Sequence, residues 1–151
     1  MRRGLYYGGR RTRYGLTVPP PEDVACAVLG RRGVGPAGYS AARAWGVTTQ
    51  VPPRWQVATL RTVDPIEGVE QHERRNLARI DLNTKEIALL ELLRAPDVYV
   101  EAGWEALVDR VRAAASTGEI DLDRLATAVP GEYHRAVRDN FSRLILGCEQ
   151  A

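Results

Sequence analysis

The sequence predicts an α+β domain in which a small, mainly antiparallel sheet with helices around it is followed by a helical C-terminal half. Two observations carry this prediction. β-prone runs bounded by Pro, Gly and Asp occupy residues 47–82, whereas apolar residues recur at helical spacing after residue 83. The chain has 151 residues, of which 44% are hydrophobic. That is enough to bury one core without disulfides or a metal.

Two short helices are predicted ahead of the sheet. A proline run followed by Glu22 and Asp23 is typical of a helix start, and it predicts a helix over about 20–29. Small residues dominate a second predicted helix over about 36–45, and Gly46 is placed to end it. These small side chains permit the close approach of a neighbouring backbone.

The β-prone part of the chain divides into short segments. The turn at Asp64-Pro65 predicts that the second and third of them pair as a hairpin. A further short strand is expected at residues 5–7, before Gly8-Gly9. The β-prone segments of the middle region are residues 47–51, 55–60, 69–75 and 77–82.

Four helices are predicted in the second half. Asn83 and Glu86 have capping-box spacing at the start of a helix that runs to about Arg94. This helix is apolar almost all round, so we expect it to be central and buried. An apolar stripe from Trp104 predicts the next helix, and Asp121 is expected to cap a third. The last begins after Pro130, with these residues on its buried face: Tyr133, Val137, Phe141, Leu144 and Ile145.

Basic residues are concentrated at the N-terminus. Residues 1–43 hold eight arginines and two carboxylates, whereas the remainder holds 13 basic and 17 acidic residues. A basic end suits contact with phosphate backbones, and tyrosines that interleave with arginines can stack on bases. The alternative is a solvated tail. The candidate DNA-binding residues are Arg2, Arg3, Arg10, Arg11 and Arg13.

The sequence offers no metal, cofactor or nucleophile signature. His72 and His134 lie far apart, and so do Cys26 and Cys148, none of them at ligand spacing. We expect partly exposed histidines and reduced, packed thiols, with no catalytic residues, no metal and no cofactor. The longest apolar run stops at Glu91 and is far shorter than the roughly 20 residues of a bilayer span. No secretion signal is evident, so the expected location is the cytoplasm.

A cluster of acids is the strongest alternative that would make the chain an enzyme. Carboxylates surround the predicted hairpin, and nucleases hold divalent metals with such groups. The single lysine, Lys85, lies in a different element, and alternating acids usually form the wet face of a sheet. The pattern therefore favours a non-catalytic protein. The acids are Asp64, Glu67, Glu70 and Glu73.

Residues 36–52, with the sequence PAGYSAARAWGVTTQVP, resemble the AbiEi-type antitoxins of bacterial abortive infection and phage defence. In that family a Ser-Ala-Ala helix leads through a glycine to a Thr-Gln-Val-Pro segment. Residues 3–7 resemble the segment that closes the family's N-terminal winged helix, and residues 82–94 resemble its buried helix. The similarity spans about residues 3–110.

The resemblance implies the antitoxin of a type IV toxin–antitoxin system, which counteracts an AbiEii-like nucleotidyltransferase toxin without a stable direct complex. The family's winged helix binds operator DNA and represses transcription. This chain begins where that winged helix normally ends. Residues 1–18 are thus expected to be a remnant of its wing, and residues 19–151 the antitoxin domain.

The chain is then either a short antitoxin or one whose start is displaced. A DNA-binding regulator of its own operon is the alternative function. The motif itself is either a recognition surface or a purely architectural helix-to-strand corner. Its candidate residues are Tyr39, Ser40, Arg43, Thr48, Thr49 and Gln50.

Overall fold

The computed structural model describes residues 11–12, 15–16 and 20–150, and within them a small sheet is followed by a helical half. The predicted α+β class is confirmed. The strands are β1 (Arg11–Thr12), β2 (Gly15–Leu16), β3 (Gly35–Pro36), β4 (Trp55–Thr59) and β5 (Val69–Glu73). The helices are α1 (Pro21–Leu29), α2 (Gly38–Ala44), α3 (Thr84–Leu92), α4 (Pro96–Tyr99), α5 (Trp104–Thr117), α6 (Leu122–Ala128) and α7 (Arg135–Glu149). Two 3-10 helices are η1 (Leu77–Asp81) and η2 (Val129–Gly131).

The three-stranded sheet has the order β3-β4-β5 and is mixed. β3 runs antiparallel to β4, but β4 and β5 are parallel, with Trp55 opposite Val69. The prediction of a hairpin is therefore wrong, and the sheet combines one antiparallel pair with one parallel pair. The chain between these strands returns along the sheet, because Ile66 is buried and the side chain of Gln71 accepts a hydrogen bond from the Val63 amide (2.9 Å).

Two predicted β segments adopt other structures. Residues 47–51 form no strand, because a side chain of another segment takes up their polar groups, as described below. Residues 77–82 hold η1 instead of a strand. There the Asn76 side chain accepts a hydrogen bond from the Ala78 amide (3.1 Å), which favours a tight turn. The strand predicted at residues 5–7 lies outside the described residues.

The predicted helices are present, and their caps are as expected. Asn83 and Glu86 form the complete capping box of α3. The Asp121 side chain accepts hydrogen bonds from the first turn of α6. The prediction for Tyr133 is wrong, because α7 begins at Arg135 and the Tyr133 side chain is 76% exposed. The short helix α4 was not predicted.

The main core surrounds α3, whose residues from Glu86 to Leu92 are all buried. α2 and α5–α7 contribute to this core, and a smaller cluster joins α1 to the sheet through Val24, Val57 and Val69. Burial of about ten large aliphatic side chains in this way is the main force that holds the fold together. Within the described residues, no helix is long and apolar enough to span a bilayer.

Candidate functional site

The start of α2 is fixed to the sheet by Gln56 of β4. The Gln56 side-chain oxygen accepts a hydrogen bond from the Tyr39 amide (2.8 Å), and the Gln56 amide donates to the buried hydroxyl of Ser40 (3.0 Å). Gly38 has a φ of +52°, and a Cβ there would lie 2.6 Å from the Gln56 oxygen. Only glycine fits this approach without displacing Gln56.

The same glutamine connects the motif to the acids of β5. The Gln56 side-chain nitrogen donates to Glu70 (2.9 Å), and His72 lies 2.7 Å from the same carboxylate oxygen. These hydrogen bonds, that of Gln56 first, lower the pKa of Glu70. Glu70 therefore holds the side chain of Gln56, the residue that fixes the start of α2.

After α2 the chain turns a corner, formed by residues 45–51, that is hydrogen-bonded to the segment between α4 and α5. The Val47 amide donates to Ala42 (3.0 Å), and the Val47 carbonyl accepts from the Ala102 amide (3.1 Å). The Trp45 ring is buried, and its nitrogen donates to the carbonyl of Lys85 at the start of α3 (3.0 Å). The corner is thus held from two sides.

Glu101 fixes the outer part of this corner. Its carboxylate accepts hydrogen bonds from the Thr49 amide (2.7 Å), the Thr49 hydroxyl (3.0 Å) and the Thr48 hydroxyl (3.3 Å). The Gln50 amide donates to the Thr48 hydroxyl (3.1 Å). Charged acceptors form the stronger hydrogen bonds, and the bond from the Thr49 amide is the main cause that lowers the pKa of Glu101.

The six candidate antitoxin residues therefore have different surroundings. Ser40 is buried and architectural, and the half-buried ring of Tyr39 meets Tyr99 edge to face, with centroids 5.1 Å apart. Thr48 and Thr49 hold Glu101. Arg43 and Gln50 are exposed, and the next residue, Val51, is 70% exposed. We call Arg43, Thr49, Gln50 and Val51 the corner surface.

Most of the candidate DNA-binding residues lie outside the described residues, namely Arg2, Arg3, Arg10 and Arg13. Arg11 belongs to β1. β1 pairs antiparallel with β2, with Arg11 opposite Leu16 and Thr12 opposite Gly15. The expectation that residues 1–18 are a remnant of a winged-helix wing stays a prediction.

Of the residues that suggested enzyme chemistry, His72 and Glu70 lie side by side (2.7 Å). In the part of the chain that the structure describes, no group of three or more His, Cys, Asp and Glu side chains could hold a metal ion. Cys26 and Cys148 are half-buried free thiols, and burial raises the pKa of Cys148. A raised pKa disfavours the reactive thiolate.

A buried ion-pair network next to the end of β5 was not predicted from the sequence. Arg79 is fully buried and donates to Glu132 through two nitrogens (2.8 and 2.7 Å) and to Glu91 through the third (2.8 Å). Arg74 also pairs with Glu91 (2.8 Å), and Asn76 donates to Glu132. Burial acts to raise the pKa of Glu91, but the bonds from Arg74 and the charge of Arg79 outweigh it and lower the pKa.

One signal in the sequence could have revealed the network. Glu86 and Glu91 stand within a helix that is apolar almost all round. Buried carboxylates require cationic or hydrogen-bonding partners. Two such residues in a central helix therefore predict arginines that reach them from other elements, although they do not say which ones.

Two of the cavities among the described residues have the following linings. One, of about 530 Å³, is lined by parts of α1, β3 and β4, including Cys26 and Trp55. The other, of about 320 Å³, lies beside the ion-pair network and includes Arg74 and Glu132 in its lining. The corner surface lines neither of them.

Comparison with known proteins gives a fold relationship only. No protein-family model matches the chain, and no curated protein matches it. Among solved structures, the chain is similar to the RV2827C protein from Mycobacterium tuberculosis, with a TM-score of 0.50 and 17% sequence identity. The match covers 89% of this chain and 55% of that chain, so this chain spans about half the length of the solved one. At this identity, the similarity indicates a shared fold.

Proposed function

We propose that this chain is the antitoxin of an AbiE-like type IV toxin–antitoxin system and counteracts a nucleotidyltransferase toxin by recognition rather than by catalysis. The observation that carries the proposal is the structure of residues 36–52, the stretch that resembles AbiEi-type antitoxins. Its inner residues are locked to β4 and α3, while its outer residues form the exposed corner surface.

The geometry of the corner suits a recognition role. Because Glu101, Gln56 and Trp45 hold the backbone in place, a ligand would meet polar groups that are already ordered. Pre-ordering reduces the entropic cost of binding. Arg43 adds a guanidinium, a group enriched at interfaces, and Val51 adds exposed apolar area.

Co-expression with the cognate toxin tests the function. We expect cells that produce an AbiEii-like nucleotidyltransferase from the same locus to form colonies when this chain is also produced, and to die with an empty vector. Colony counts are the readout, because type IV partners form no stable complex to isolate. Continued killing in the presence of soluble chain, confirmed by immunoblot, would contradict the proposal.

DNA binding is the second candidate function, and the paired strands β1 and β2 are the observation that favours it. A two-stranded ribbon with arginines can enter a groove of duplex DNA. Arg11 lies on this ribbon. The surrounding sequence holds Arg10 and Arg13, so the N-terminal segment would add a basic wing to the antitoxin domain.

Salt dependence of binding tests this second function. Each phosphate contact contributes about −0.9 to the slope of log affinity against log salt concentration. Replacing Arg10, Arg11 and Arg13 by Gln should therefore reduce the slope by about 2 to 3 for duplex DNA from the chain's own promoter, measured by fluorescence anisotropy. A control triple variant with the same charge change elsewhere is Arg32→Gln, Arg110→Gln and Arg135→Gln. Equal slopes for the two triple variants would argue against the wing.

A further inference from the structure

The cavity of about 320 Å³ has a lining rich in arginine. It opens between the end of β5, the end of α3 and the turn that leads into α7. Arg74 and Glu132 of the ion-pair network belong to its lining. The lining consists of Glu73, Arg74, Arg75, Asn76, Arg94, Glu132, Tyr133 and His134.

The charges of this lining do not balance. The Glu132 carboxylate accepts hydrogen bonds from Arg79 and Asn76, and Arg74 donates hydrogen bonds to Glu91. Arg75 and Arg94 make no ion pair with any described residue. Because Glu73 adds one carboxylate at the rim, these remaining groups carry one net positive charge.

Arg94 is the unusual member of the set, because it is half-buried. Burial, and then the charge of Arg74, lower the pKa of Arg94, and they outweigh the charges of Glu91 and Glu132, which act to raise it. Holding a partly desolvated guanidinium near a second one is unfavourable in the empty protein. An anion in the cavity would remove this penalty, which gives the position a physical reason to hold a ligand.

The rim of the cavity adds an aromatic ring. Tyr133 is 76% exposed although it is a large side chain, and His134 next to it is exposed as well. An exposed tyrosine beside arginines offers the two kinds of contact that a nucleotide can use. The ring face stacks on a base, while the guanidinium groups pair with phosphate oxygens.

We propose that this cavity binds a nucleotide, with the phosphate at Arg94 and Arg75 and the base against the ring of Tyr133. The guanidinium fork matches a phosphate with two parallel hydrogen bonds, which a lysine could not provide. This site is separate from the corner surface, and it stands whether or not the chain is an antitoxin.

Calorimetric titration tests the site with three probes: adenosine 5′-monophosphate, inorganic phosphate and adenosine. We expect the monophosphate to bind most tightly. Arg94→Gln should weaken its binding about tenfold or more, since a charged hydrogen bond is lost. The control Arg110→Gln changes an exposed arginine of α5 outside the cavity lining, and it should leave the binding unchanged. Tyr133→Ala should weaken the monophosphate and leave inorganic phosphate unchanged.

Thermal unfolding separates a binding role from a structural one. If Arg94 serves a ligand, ligand-free Arg94→Gln melts at the same temperature as the parent protein or higher, because an unfavourable cation has been removed. A lower melting temperature for Arg94→Gln would show that the residue stabilises the fold, and it would overturn the proposal. No binding of the monophosphate at millimolar concentration, or equal binding by the parent and Arg94→Gln, would overturn it too.

Discussion

Replacing Arg79 by Ala is expected to lower the free energy of unfolding by about 3–5 kcal/mol, the cost of breaking a buried ion pair from one side. Arg79 has no exposed surface, and its three donating nitrogens serve Glu132 and Glu91. Without it, the buried carboxylate of Glu132 keeps Asn76 as its one side-chain partner among the described residues. Urea unfolding followed by circular dichroism measures the change.

Two further variants show whether the loss comes from the buried charge. Arg135→Ala changes an arginine that is 84% exposed, and we expect an effect within about 0.5 kcal/mol. The double variant Arg79→Met/Glu132→Gln leaves Glu91 paired with Arg74 and removes the other buried charge. Its loss in free energy of unfolding should be smaller than the sum of the losses of the two single variants, Arg79→Met and Glu132→Gln. A loss below about 1 kcal/mol for Arg79→Ala would contradict the central place of this network.

Glu86→Ala is expected to lower the free energy of unfolding by about 3 kcal/mol, since several donors to one buried carboxylate lose their acceptor together. Glu86 has no exposed side-chain surface. It accepts hydrogen bonds from the amides of Asn83 and Asp121 (2.8 Å each) and from Arg124 (2.9 Å). The same side chain thus caps α3 and joins it to the start of α6.

The control for this variant is Glu105→Ala. Glu105 is also an acid in the first turn of a helix, but it is exposed on α5. Its loss removes only a favourable interaction with the helix dipole, worth about 0.5 kcal/mol. Urea unfolding of both variants in parallel is the measurement. Equal stabilities would mean that the donors around Glu86 are satisfied by water when the carboxylate is gone.

The helices could be predicted because their signals are local. Apolar spacing and the caps Asn83 and Asp121 lie within or next to the helices they define. The direction of β5 could not be predicted, because it depends on how residues 60–68 return along β4. The burial of Ile66 and the bonds of Gln71 decide that path, and neither follows from the β-prone pattern.

The candidate site was predicted as a stretch of sequence but not as a surface. Which of its residues point inward depends on Gln56 and Glu101, the second of which lies 52 residues from its partner Thr49. The ion-pair network has the same character, because Arg79 and Glu132 are 53 residues apart. Charges within the apolar helix α3 signal that partners exist, but only the fold supplies them.

The helix α3 connects the corner after α2 with the buried ion-pair network. At its start, the carbonyl of Lys85 accepts the hydrogen bond of Trp45 and so supports the corner. Near its end, Glu91 anchors Arg79 and Arg74. Destabilising the network should therefore lower the stability of the whole fold, whereas changes at the exposed side chains of Arg43 and Gln50 should leave the stability unchanged.

The most direct test of the corner surface is colony survival with the double variant Arg43→Gln/Gln50→Ala. Both residues are exposed, so the variant should unfold at the same urea concentration as the parent chain. The control is Arg135→Gln/Gln150→Ala, an exposed pair at the first residue of α7 and just after its last residue. We expect the corner variant to protect toxin-producing cells no better than an empty vector, and the control to protect as well as the parent. Full protection by the corner variant, at equal soluble level, would contradict the assignment of antitoxin activity to this surface.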